Sequence, residues 1–75
     1  MEFRWNEWNT SHIARHGVTP EEAEAVVTGA SDPFPVYHGE GKWAVWGYSS
    51  AGRALQVIFI DDGERSAYVI HARPL

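Results

Sequence analysis

A chain of 75 residues, 44% hydrophobic and 13% aromatic, with no cysteine, makes one small domain and excludes both a disulfide framework and a thiolate metal centre. The formal charge of −4, ten acids against six Lys and Arg, argues against a general nucleic-acid binder held by phosphate contacts over its whole surface. The apolar runs are far shorter than a membrane span and the N-terminus lacks the apolar core of a signal peptide, so no membrane contact and a cytoplasmic location are expected.

Phe3-Arg4-Trp5 reads as a short extended segment, and Asn6 is suited to cap a helix running to about His16. Trp5, Trp8, His12, Ile13 and His16 recur at three- and four-residue spacing and form one semi-apolar stripe. His12 and His16 are four apart, a spacing that can bind zinc, but the sequence shows no third ligand, so no metal is expected. His16 is expected to pack at or cap the helix end.

Gly17 offers the left-handed conformation common at helix ends, and Thr19-Pro20-Glu21-Glu22 opens a second helix. Thr19 is the N-cap, Pro20 takes the first helical position without wasting an amide, and Glu22 can reach back to complete a capping box. The helix spans Pro20 to Thr28, buries Ala23, Val26 and Val27, and stops at Gly29.

Asp32-Pro33-Phe34-Pro35 cannot continue a helix and reads as an extended connection suited to a sheet edge. The period then changes to two. Lys42 to Ser49, Arg53 to Asp61 and Arg65 to Arg73 are rich in β-branched and aromatic residues and are separated by Ser50-Ala51-Gly52 and Asp62-Gly63. Asp-Gly between two strands predicts a two-residue hairpin, and short links force antiparallel neighbours. The expected class is α+β: two short N-terminal helices on a small antiparallel sheet, made of a three-stranded C-terminal meander plus a short N-terminal strand.

The central strand places Leu55, Val57 and Phe59 on one face and Gln56, Ile58 and Ile60 on the other. Both faces are mostly apolar. One should take the helices, and the other needs a C-terminal segment, a second copy in a homodimer, or a partner protein. Acids gather at Glu21, Glu22, Glu24 and at Asp61, Asp62, Glu64, while Lys42, Arg53, Arg65 and Arg73 all lie in the C-terminal half, so a local basic face can exist within an acidic total. Trp43, Trp46 and Tyr48 can stack bases, although aromatic residues on strands more often serve core or interface.

Trp5-Asn6-Glu7, His16-Gly17-Val18, Thr19-Pro20-Glu21-Glu22-Ala23, Gly41-Lys42-Trp43, Gly52-Arg53 and Val69-Ile70-His71-Ala72-Arg73 together resemble the BrnT toxin family over nearly the whole chain. The His16-Gly17-Val18 joint and the final Ala72-Arg73 are the most specific matches. The resemblance implies a RelE-like single domain over residues 1–75, an endoribonuclease that inhibits translation without a cofactor, RNA as substrate, and a BrnA-like ribbon-helix-helix antitoxin as partner. It also implies a C-terminal tail beyond Leu75.

Metal-free RNA cleavage needs a base for the ribose 2′-hydroxyl, charge stabilisation at the phosphate oxygens and an acid for the leaving 5′-oxygen. His71 and Arg73 alternate onto one face of the last strand about 7 Å apart, His71 as acid or base and Arg73 as charge clamp. With a two-residue hairpin, Arg65 pairs near Asp61, Arg73 near Arg53 and His71 near Leu55, which groups Arg53, His71 and Arg73 as candidate catalytic residues. Lys42 belongs at the opposite end of the sheet. Lys42 and Arg65 are candidate RNA contacts. A non-catalytic interaction module of the same fold is the competing reading, motivated by the acidic total and the two-sided apolar sheet.

Overall fold

The computed structural model describes residues 1–63 and 65–75; Glu64, counted above in the second acidic cluster, lies outside the described residues. In chain order the elements are β1 (Glu2–Arg4), α1 (Glu7–Ala14), α2 (Pro20–Thr28), β2 (Val36–Gly39), β3 (Lys42–Tyr48), β4 (Ala54–Asp61) and β5 (Ser66–Pro74). The class is α+β, with both helices against one five-stranded sheet of order β1-β5-β4-β3-β2. Among the described residues, no helix is long and apolar enough to cross a membrane.

Both helices begin where the side chains supply the missing hydrogen bonds. The Thr19 hydroxyl accepts from the Glu22 amide and the Glu22 carboxylate accepts from the Thr19 amide, each at 3.2 Å, which satisfies two of the amides that a helix start leaves without partners. Asn6 and Asn9 make the same reciprocal pair at the start of α1, at 3.1 and 2.8 Å. Helix α1 ends at Ala14, two residues short of the expected His16. The physical cause is the closure at its C-terminus: the Gly17 amide donates to the Ala14 carbonyl and the Val18 amide to the Ile13 carbonyl, with Gly17 at φ +72°. This Schellman pattern folds Val18 back beside Ile13, so both enter the core.

The core lies between the helices and one face of the sheet. Leu55, Val57 and Phe59 of β4 are buried there with Val45, Val69 and Ala72, under Ile13, Val18, Ala23 and Val26. Each of the larger side chains contributes roughly 1.5–3 kcal/mol by leaving water. The alternate residues Gln56, Ile58 and Ile60 stay half-buried on the far face, where Trp46 (54% exposed) and Tyr48 (72% exposed) stand in neighbouring positions of β3. Trp43 is opposite Phe59 and packs against the core, so the three aromatic residues of β3 divide between the two faces.

Three expectations about the sheet are corrected. The sheet is mixed, because β1 pairs in parallel with β5, Phe3 opposite Ala67; the α1–α2 hairpin returns the chain to the opposite edge and leaves the first strand aligned with the last. A fifth strand, β2, extends the sheet beyond Pro35, with Val36 opposite Ala44 and Tyr37 opposite Trp43. Period-two alternation is too short to show over four residues that lie mostly exposed.

The third correction concerns register. Asp62-Gly63 does not form a two-residue hairpin: Asp61 is opposite Ala67, the Asp62 amide donates to the Ser66 carbonyl at 3.2 Å, and Asp61 Oδ1 accepts from the Gly63 amide at 2.8 Å. Further along, the pairs Phe59–Val69 and Ile58–His71 leave Ile70 as an extra residue in β5, a bulge. Arg73 therefore faces Gln56 rather than Arg53, and His71 is opposite Ile58 rather than Leu55. Burial gives the physical reason. The expected register would have put His71 and Arg73 in the buried layer with Leu55, whereas the bulge puts the fully buried Ala72 opposite Val57 in that layer, leaves His71 half-buried at the edge beside α1 and avoids burying charge.

Candidate functional site at the edge of the sheet

Past Tyr68, β1 no longer covers β5, and α1 takes its place. The Asn9 side chain, fully buried, donates to the Val69 carbonyl at 2.9 Å and to the Arg4 carbonyl at 3.1 Å. This seats α1 beside the bulge, so that His12 of the helix and His16 of the turn that closes it meet His71 of β5. Ring centroids are 5.3 Å apart for His16 and His71, 6.0 Å for His12 and His71, and 6.4 Å for His12 and His16. Trp8, one turn before His12 and 57% exposed, stacks on the His12 ring at 5.0 Å with the planes 6° apart.

The three imidazoles have no hydrogen bond or ion pair among the described residues. His16 is exposed, and His12 and His71 are half-buried. His71 is held below the usual imidazole value, first by burial and then by the positive charges of His16, His12 and Arg73. A neutral His71 beside two further imidazoles is suited to exchange protons near neutral pH.

Of the other predicted site residues, Lys42 and Arg65 lie away from this cluster. Arg53 Nη1 donates to the Gly17 carbonyl at 3.0 Å and pairs with Glu22 at 3.5 Å, which places its guanidinium next to the residue following His16. Arg73 Nη2 donates to Gln56 Oε1 at 2.9 Å, so its head lies over the far face of the sheet, in the row that continues to Trp46. Arg53 and Arg73 thus approach from different sides and do not form the single group expected. Lys42, opposite Ile60, stands at the far end of the sheet from Arg53, as expected. Arg65 lies in the loop before β5, where its carbonyl accepts from the Glu2 amide at 2.8 Å.

Two contributors were not singled out from sequence. Nothing local in the sequence sets Asn9 apart from other polar helix residues, and the pairing of β5 shows why an amide is needed there. Trp8 was placed in an apolar stripe, yet it stacks on a histidine at the surface. The third imidazole had no local signal, because His71 is separated from His16 by most of the chain.

No protein-family model, curated protein or solved structure matches the chain.

Proposed function

We propose that this protein is a BrnT-like toxin with a RelE-like fold: a metal-independent endoribonuclease that inhibits translation and is held inactive by a small ribbon-helix-helix antitoxin. The observation that carries this reading is the cluster of His12, His16 and His71, with Arg53 and Arg73 on its flanks. Neutral His71 takes the proton of a ribose 2′-hydroxyl, and the freed oxygen attacks the adjacent phosphorus. A protonated neighbour, His16, gives its proton to the leaving 5′-oxygen as the P–O5′ bond breaks. The products are a 2′,3′-cyclic phosphate and a 5′-hydroxyl. Arg73 stabilises the charge that develops on the phosphate oxygens.

The test is RNA cleavage by the purified chain in the presence of a chelator, together with growth arrest on expression. Loss of both in His71→Ala, with folding retained, is the expected result; cleavage undiminished in both His71→Ala and Arg73→Ala defeats this site.

A second reading, a non-catalytic interaction module, has its own observation. Trp46 and Tyr48 stand exposed on a sheet face that also carries half-buried Ile58 and Ile60, and apolar surface of that kind commonly meets a partner. If this reading holds, the chain cleaves no RNA, and replacing Trp46 and Tyr48 with Ser abolishes association with a copy or partner.

A further inference from the structure

We infer that His12, His16 and His71 form a binding site for one divalent transition-metal ion of the zinc class, with α1 supplying His12, the turn that closes it His16, and β5 the third ligand. The turn that closes α1, in which the His16 amide donates to the Ile13 carbonyl at 3.0 Å, keeps His16 beside His12, and the bulge in β5 delivers His71 to the same point.

The dimensions of the cluster come close to those such an ion needs. From the three centroid separations, a point equidistant from the rings lies about 3.4 Å from each centre. Zinc bound to an imidazole nitrogen at the usual ~2.0–2.1 Å stands about 3.2 Å from the ring centre. That point lies in the plane of the three ring centres; a tetrahedral zinc would hold imidazole centres about 5.2 Å apart, so His16 and His71 already stand at that separation and His12 must approach them by about 1 Å.

The ring orientations must change as well. The planes are inclined at 79°, 57° and 64°, and as the side chains stand no three donor groups among the described residues converge on an ion. Turning an imidazole about its Cβ–Cγ bond moves the nitrogens while leaving the ring centre almost in place. That torsion is soft, and closure requires it to turn while His12 leaves its stack on Trp8 and moves toward the other two rings.

The donor chemistry selects the metal. Three imidazoles without thiolate or carboxylate suit Zn²⁺, Ni²⁺ and Cu²⁺ rather than Mg²⁺ or Ca²⁺, and exposure of His16 leaves a fourth position for water. Metal ligation needs neutral imidazole, the form favoured at His71. Among the described residues no group hydrogen-bonds the imidazole nitrogens, so the affinity falls about 10–100-fold below that of a buttressed site. Where the chain cleaves RNA as proposed above, an ion here occupies the nitrogens that would carry protons and inhibits cleavage; that consequence alone rests on the ribonuclease reading.

The experiment is calorimetric titration of the full chain with Zn²⁺ near neutral pH, with Co²⁺ absorption as the spectroscopic probe. We expect one ion per chain and a rise in Tm, because the ion links α1 to β5. His12→Gln and His71→Gln should each weaken binding about tenfold or more, the range lost when a metal site is disturbed, and His71→Gln should abolish the Tm rise. His38→Gln, on β2 outside the cluster, should change neither. Circular dichroism identifies any variant that has lost its fold, and perturbation of the His71 ring resonances by Zn²⁺ in the unaltered chain then decides the matter. No binding at millimolar Zn²⁺, or binding unaffected by a folded His71→Gln chain, overturns the inference. These readouts are independent of RNA cleavage, so failure of the metal site and failure of the ribonuclease reading are distinguishable.

Discussion

The side-chain amide of Asn9 donates to the Val69 carbonyl at 2.9 Å, where the sheet edge passes from strand β1 to helix α1. A backbone carbonyl at an edge would otherwise be left without a partner under the helix, and α1 is too short to hold its position by apolar contact alone. The same side chain caps its own helix, so one residue sets both the start of α1 and its seat beside His71.

Asn9→Ala should therefore lose about 2–4 kcal/mol of stability in urea denaturation, the combined cost of a lost cap and of buried groups left unpaired. Asn9→Asp should lose more. It keeps an acceptor for the Asn6 amide but sets a carboxylate against two carbonyls in a buried site.

The depressed pKa of His71 makes stability depend on pH. Because the folded chain disfavours protonated His71, the unfolded state binds more protons between the folded value and the ordinary value of 6.5. Stability contributed by neutral His71 is thus complete above pH 6.5 and falls as the pH drops through that value toward the folded pKa. Urea midpoints measured across this interval should decline in acid, and His71→Gln should flatten the decline. His12, His16 and Arg73 are the charged or titratable groups acting on it, so His16→Gln should flatten it in part.

The joint between the helices should be sensitive to backbone chemistry rather than to charge. Gly17→Ala forces a side chain into φ +72° and should cost about 1–2 kcal/mol even though a Cβ there meets no atom within 4 Å. Thr19→Ala should cost about 1 kcal/mol through loss of the cap. Thermal unfolding reads both.

The two arginines should separate stability from activity. Arg73 is exposed and bonds only Gln56 and the Pro74 carbonyl among the described residues, so Arg73→Ala should leave Tm nearly unchanged. On the ribonuclease reading it should lower cleavage about 10²-fold. Arg53→Ala removes the bond to the Gly17 carbonyl and the pair with Glu22; it should cost about 1 kcal/mol and disturb the turn that carries His16. Equal cleavage by both variants would remove Arg73 from the phosphate.

Local chemistry made much of the fold legible. The Thr19 cap, the Pro20–Thr28 helix, the Asn6 start of α1 and the alternation of Leu55, Val57 and Phe59 all follow from neighbours a few residues apart, where capping and strand periodicity act. The extended Phe3 segment was legible as well. Its parallel partner was not, because pairing joins residues at opposite ends of the chain.

What only the tertiary structure decided turns on one extra residue in β5. The pattern of Ser66 to Arg73 alternates well enough to predict a strand, yet the loop at Asp62-Gly63 and the bulge at Ile70 moved His71 three places along β4 and exchanged the residue that faces the core. Sequence determines that His12 and His16 lie four residues apart at the end of α1 and that His71 lies on the last strand. Their meeting depends on burial of Ala72 and on the amide of Asn9 reaching the Val69 carbonyl. Those are long-range energies of packing and hydrogen bonding, which no local spacing encodes.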